Sequence, residues 1–163
     1  MQHGTPVSKE EDPDRPLSEK GKRDVEKVAE ILHACPIMPK EIHHSGKTRA
    51  RETAEIIASG LGAGTGAKAR GGLSPLDEVE EIAQELCRAE TDTFIVGHLP
   101  HLGRLAASLL GAGEARNPVR FQQGGLLCLE RDDAGKWAVI WMVVPEILQT
   151  ISNNVLPEGQ GEG

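Results

Sequence analysis

His3, Arg49 and His98 stand in three loops of one design. His3-Gly4 opens the chain. Ser45-Gly46-Lys47-Thr48-Arg49 and Gly97-His98-Leu99-Pro100 each follow a short candidate strand and lead into a helical pattern. A neutral imidazole offers a nitrogen lone pair near pH 7 and can attack an electrophile. A guanidinium forks onto two oxygens of one phosphate. Helix N-termini add unpaired N–H groups that suit an anion. Brought together, His3, Arg49 and His98 would form a phosphate pocket, with Gln2, Gly4, Ser45, Lys47, Gly97 and Leu99 in the same loops and Arg15 in the turn-rich loop before the first helix. Taken singly these residues say little. A histidine at a chain start is usually inert, a Gly-His pair is usually a turn, and an arginine at a helix start is usually solvated.

The elements around these loops alternate between helices and strands. Ser18 can cap a helix with Val25, Val28, Ala29 and Leu32 on one face, and Pro36 ends the pattern. Residues 41–44 read as a short strand and residues 48–59 as a second helix, with Ala50, Thr53, Ala54 and Ile57 along one side. Residues 60–72 read as a Gly/Ala-rich loop. Ser74 or Asp77 can start a third helix with Val79, Ile82, Ala83 and Leu86 facing inward. Residues 93–96 read as a strand and 100–110 as a fourth helix, with Pro100 near its first turn. Residues 126–130 and 137–144 are β-rich and flank a turn at 132–135, which predicts a hairpin. This order predicts an α/β fold in three layers, with a mostly parallel central sheet and helices on both faces. In such sheets the ligand crevice lies at the carboxyl ends of the strands, where the three loops sit. Residues 1–150 form the expected domain, and the polar, Gly-rich residues 151–163 a flexible tail.

Composition narrows the function. A length of 163 residues fits one domain, and 38% hydrophobic with 26% charged residues fits a globular protein. The net charge of −7 argues against a general nucleic-acid binder, while leaving room for a small anion site built from local cations. No membrane-length apolar run and no signal-peptide pattern occur, so a cytoplasmic setting is expected. Cys35, Cys87 and Cys128 are odd in number and far apart, which favours reduced structural thiols. The run 62–67 superficially matches a dinucleotide fingerprint but follows a helix, so it reads as a loop. His43-His44 point to opposite sides of a strand, and His98 with His101 lack a carboxylate in a ligand motif, so no metal is expected. His101 is expected at the pocket rim or over the helix start.

Four blocks together resemble the histidine phosphatase superfamily, and in particular its SixA-type phosphohistidine phosphatases. Gln2-His3-Gly4 resembles the family's Arg-His-Gly signature. The run 14–21, DRPLSEKG, is similar to the Arg-Pro-Leu-Thr-x-x-Gly segment of the SixA branch. The run 45–54, SGKTRARETA, is similar to the block in which an arginine precedes a helix carrying Thr-Ala. Val96-Gly97-His98-Leu99-Pro100 resembles the Gly-His block after a strand. The resemblance implies a phosphoglycerate mutase-like fold and a phosphatase that needs no cofactor or metal. It implies a covalent phosphohistidine on His3, phosphate gripped by Arg49, and charge stabilised by His98, if protonated. The implied substrate is a phosphohistidine-containing protein or a small phosphate ester, with no membrane or nucleic-acid partner.

Two departures from the family pattern carry weight. Gln2 replaces the family's arginine, so fixed charge must come from elsewhere, and Arg15 is a better substitute than Lys47. Only Met1 and Gln2 precede His3, where the family has a central strand of about five residues. The first strand is thus cut short: either coding sequence lies upstream of Met1 or His3 is poorly anchored, with two strand edges and part of the core exposed. Only about 48 residues separate Arg49 from His98, too few for the helical lid of larger relatives. An open pocket admits a protein side chain, and an imidazole leaving group needs less acid assistance than an alkoxide. Glu11, Asp12 and Asp77 are conceivable acids without a motif behind them. The competing readings are a small-metabolite phosphatase, a non-catalytic phosphate-binding relative, and a structural α/β domain with no anion site.

Overall fold

The structure is a computed structural model that describes residues 1–35, 37, 39–62, 66–113 and 117–155. The first helix, α1 (Glu19–Ala34), starts where Ser18 Oγ accepts a hydrogen bond from the Gly21 amide. Its buried face is Val25, Val28, Ala29 and Leu32, at helical spacing. Gly21 is required there: a Cβ would lie 2.1 Å from the Thr5 carbonyl oxygen, because the opening segment crosses the first turn of α1.

Strand β1 (Glu41–His44) leads into helix α2 (Thr48–Leu61), and β2 (Ala67–Ala69) follows. Helix α3 (Glu80–Arg88), strand β3 (Thr93–Val96) and helix α4 (His101–Leu109) come next. The three strands form a parallel sheet in the order β2-β1-β3. Alternation along β3 shows why the fold has layers. Phe94 and Val96 join the core beneath α1 and α2, whereas Ile95 packs on the opposite side among residues of α3 and α4. An antiparallel hairpin, β4 (Leu126–Arg131) and β5 (Trp137–Val143), extends the layer, and helix α5 (Pro145–Val155) packs against α1.

Residues 1–3 tie these parts together. The Met1 ammonium donates to Ile95 O (2.8 Å), Gly97 N to Met1 O (3.1 Å) and His3 N to Gly97 O (3.1 Å). On the other side Gln2 N donates to Gly125 O (3.0 Å), and Gly124 N reaches Gln2 O (3.2 Å) and His3 O (3.0 Å). The short opening strand therefore lies between β3, to which it runs parallel at Gln2 and Gly97, and the start of the hairpin. His3 is well anchored, contrary to one expectation drawn from the short N-terminus.

The three-layer α/β architecture matches the sequence-based expectation. Three local readings are corrected. The loop at 60–72 contains β2, whose residues pair with β1 from Ile42↔Ala67 to His44↔Ala69, so the ladder supplies what local sequence lacks. The third helix starts at Glu80; Ser74 N donates to Asp77 Oδ2 in a turn ahead of it. Helix α5 crosses the expected boundary at 150, and residues 156–163 lie outside the described residues. Pro36, expected to end the first helix, also lies outside them; the helix ends at Ala34.

The docking of α5 is testable. Leu148 is buried in the α1–α2 core, and Gln149 Nε2 donates to the buried Asp24 (2.8 Å). Leu148→Ala should lower unfolding stability by about 2 kcal/mol, the low end for a buried leucine. Urea denaturation checks this; an undocked tail would show no change.

Candidate functional site

Each chemical side chain sits at the carboxyl end of a strand. His3 ends the short opening strand, Ser45 follows β1, and His98 follows β3 by two residues. Arg49 is the second residue of α2, the helix that leaves β1. Parallel strands put all these ends on one side, so residues far apart in sequence converge.

His3 is 6% exposed. Its Nδ1 lies 2.7 Å from the Gly4 carbonyl oxygen, which can only accept, so Nδ1 carries the proton. Nε2 then bears the lone pair, and Arg49 Nε donates to it at 3.1 Å. The His98 ring lies with its centroid 4.9 Å from that of His3, tilted by 56°. Ser45 Oγ is 2.6 Å from His98 Nε2. His3, Arg49, His98 and Ser45 thus form one connected cluster.

Thr53 holds the cluster in register. Its Oγ1 donates to Arg49 O (2.7 Å) and accepts from Gly4 N (3.0 Å), so one hydroxyl links α2 to the loop after His3. One residue earlier, Glu52 Oε2 accepts from Leu17 N (2.7 Å) and fixes the loop carrying Arg15. Sequence reasoning placed Thr53 on the buried face of α2 and in the Thr-Ala of the family-like block, without giving it a role, and did not single out Glu52. The available signal was spacing: Thr53 lies one turn after Arg49.

Gly4 has no room for a side chain, since a Cβ would approach Val25 Cγ2 to 2.8 Å. Gln2 is buried, and its Oε1 has no partner among the described residues. Gly97 is buried in the strand pairing, whereas Leu99 is exposed. Lys47 is the residue before α2 and is exposed, yet its charge reaches His98. Arg15 stands at φ 51°, donates from Nε to Val7 O (3.4 Å), and lowers the proton affinity of both His3 and Arg49. Among the described residues neither Arg15 nor Arg49 forms an ion pair, although the charge of Arg15 also acts on the exposed Glu10 carboxylate.

Burial dominates the titration of the two imidazoles. It lowers His3 to about 4, opposed by the Gly4 hydrogen bond and reinforced by Arg49 and Arg15. It lowers His98 to about 3, reinforced by His3, Arg49, Lys47 and His101. Both rings are neutral at pH 7 in the empty site. His98 is therefore not a ready-made cation; a dianion beside it would raise its proton affinity. His101 is fully buried at the start of α4 rather than at a rim, and burial lowers its pKa too. Asp77 is engaged in the turn before α3 and Glu11 is exposed, so neither is held against the cluster.

The chemical capability follows. A neutral nucleophilic nitrogen, an unneutralised guanidinium fork and a second imidazole share one small space. They can receive a tetrahedral oxyanion and attack its central atom.

Comparison with known proteins agrees with this geometry. The model of the histidine phosphatase superfamily (branch 1) matches residues 2–77. Among solved structures, the protein histidine phosphatase SixA complexed with tungstate superposes with a TM-score of 0.78 at 23% identity, covering 91% of this chain and 96% of the other. A candidate SixA phosphohistidine phosphatase from Agrobacterium tumefaciens gives 0.72 at 22%, covering 89% and 95%. The mycobacterial glucosyl-3-phosphoglycerate phosphatase gives 0.68 at 16%, covering 86% and 95%. No curated protein sequence matches the chain. The fold is that of these phosphatases, and the resemblance drawn from the sequence motifs is borne out.

A pH dependence follows from the buried rings. Between pH 6.5 and about 4 for His3, or about 3 for His98, the unfolded chain binds protons that the folded site refuses. Their contribution to stability is complete above pH 6.5 and declines on acidification. The urea midpoint should therefore fall more steeply between pH 7 and pH 5 in the natural protein than in a His3→Gln, His98→Gln double variant. Circular dichroism through the urea transition reads the difference.

Proposed function

We propose that this chain, which has the sequence motifs and fold of the histidine phosphatase superfamily, is a SixA-like phosphohistidine phosphatase. The observation that carries this reading is the tautomer of His3: Nδ1 is committed to Gly4 O, and Nε2 faces Arg49 and His98. Substrate phosphate enters as the counter-charge that Arg49 lacks. The guanidinium of Arg49 leaves Nε2 and takes two phosphate oxygens. His98 donates to another oxygen, aided by Ser45 and Lys47. Nε2 forms a bond to phosphorus while the substrate's P–N bond breaks, and the departing imidazole nitrogen takes a proton from solvent. Water then attacks the phosphorus, the P–Nε2 bond breaks, and inorganic phosphate leaves with His3 neutral again. Every step is carried by side chains and amides of this chain, without a metal or cofactor.

Arg15 takes the place of the charge that Gln2 lacks, because it already acts electrostatically on His3 and Arg49. Among the described residues no large lid stands between α2 and α4, where β2, α3 and β3 fill the interval. An accessible pocket suits a phosphohistidine on another protein. Small phosphate esters are the second reading, supported by the fold shared with a sugar-phosphate phosphatase. No helix among the described residues is long and apolar enough to cross a membrane. A cytoplasmic setting, in which Cys35, Cys87 and Cys128 stay free, completes the proposal.

The deciding measurement is trapping. Incubation with a labelled phosphohistidine protein and an alkaline quench should place an acid-labile phosphate on His3, and His3→Ala should carry none. Binding of phosphate without any label would sink catalysis and leave a phosphate-binding module. Faster turnover of sugar or nucleotide phosphates than of phosphohistidine protein would favour the second reading. Arg49→Lys should lower kcat/KM by about 100-fold, as loss of a transition-state donor does. Arg15→Ala should weaken inhibition by inorganic phosphate about tenfold, the scale of one charge-assisted contact; an unchanged inhibition constant rejects its role.

A further inference from the structure

His43 and His44 close β1 and divide between the two sides of the sheet. His43 Nε2 pairs with the exposed Glu41 carboxylate at 3.0 Å. His44 is 4% exposed and shares its side of the strand with Ile42, which belongs to the core beneath α1 and α2. No step of the phosphoryl transfer calls on this buried ring, yet it stands one residue before Ser45.

The ring has a defined task in the backbone. His44 Nδ1 accepts a hydrogen bond from the Gly46 amide at 3.1 Å. An imidazole nitrogen accepts only when it carries no proton, so the ring is neutral and its proton sits on Nε2. Burial lowers the proton affinity of His44; Glu55 of α2 opposes this, and Arg51 of α2 and His43 reinforce it. The bond closes a turn of the Asx kind, in which a side-chain acceptor takes the N–H two residues on. Gly46 stands at φ 84°, and a Cβ there would meet nothing within 4 Å, so the turn rather than packing calls for glycine. His44 is itself fixed, because its main-chain oxygen accepts from Arg70 N at 2.9 Å, where the chain leaves β2. The link from β1 to α2 is only residues 45–47, and Lys47 gives the helix no side-chain cap. Two groups of the site depend on the path of this link. Ser45 Oγ lies 2.6 Å from His98 Nε2, and Arg49, the second residue of α2, donates to His3 Nε2.

We propose, on the phosphatase reading of the site, that His44 is a positioning residue: its ring holds the Gly46 amide and thereby sets Ser45 against His98 and Arg49 against the phosphate. It touches neither substrate nor the reacting atoms. Without the acceptor, the Gly46 N–H loses its bond and the three-residue link gains freedom. Ser45 and the head of α2 then lose their register with His98 and His3, and misplacement of such groups is costly to a reaction that depends on alignment.

The test compares the natural protein with His44→Leu and His44→Asn. Asparagine offers the ordinary acceptor of such a turn, whereas leucine fills space without accepting. On a phosphohistidine protein, His44→Leu should lower kcat/KM about tenfold, the scale of one hydrogen bond, and weaken the binding of inorganic phosphate about as much. His44→Asn should restore most of both. Nitrogen NMR of the histidine rings needs no variant, and at pH 7 it should find the His44 proton on Nε2. A His44 protonated at Nδ1, a folded asparagine variant no better than leucine, or a leucine variant equal to the natural protein in both measurements would each overturn the proposal. If the leucine variant does not fold, the asparagine variant and the tautomer decide. A natural protein that binds phosphate but leaves phosphohistidine intact would reject the phosphatase reading alone, and the phosphate affinities of the three proteins would then judge His44. A natural protein that binds no phosphate overturns both.

Discussion

Residues 1–3 make backbone hydrogen bonds on both sides, and those bonds decide where the chemistry happens. Through Ile95 and Gly97 they join the parallel sheet, and through residues 124–125 they join the hairpin. His3 is held by its own backbone, so its ring has a fixed origin. The Nδ1 bond to Gly4 O then fixes the ring's orientation and its tautomer. Without this seat, the guanidinium of Arg49 and the ring of His98 would not meet the His3 ring.

The electrostatic state of the empty site follows from burial set against charge. Both histidines are kept neutral because desolvation outweighs other influences, and the neighbouring cations act in the same direction. A neutral His3 is what nucleophilic attack requires. Among the described residues Arg49 has no ion-pair partner, and this makes an anionic ligand a natural complement. Thr53 and Glu52 convert that arrangement into a rigid one by tying α2 to the loops after His3 and before α1.

Much of the fold was legible because helix and strand periods are local. Ser18 announced α1, and the short candidate strands at 41–44 and 93–96, with the Ser-Gly and Gly-His loops after them, announced β1 and β3. The pieces that escaped notice depend on partners. Ala67–Ala69 has small, poorly patterned residues and becomes β2 through its ladder with β1. Residues 145–155 contain Thr150, Ser152, Asn153 and Asn154, weak helix formers, yet α5 forms where Leu148 packs beneath α1 and Gln149 bonds to Asp24. In the site, the residue types of His3, Arg49 and His98 were informative because few other chemistries use them in such loops. Thr53 was hidden because its hydroxyl matters only once Gly4 is brought against it.

The sequence by itself determined the layered α/β order, the three loops and the residue types that the loops bring to the site. Periodicity and residue chemistry are properties of short segments, and they survive without a fold. Tertiary structure alone decided which nitrogen of His3 is free, that burial keeps His98 neutral at pH 7, and that the charge of Arg15 acts on His3 and Arg49. Those outcomes depend on distance and burial between residues far apart in the chain, and only the packed sheet brings them together.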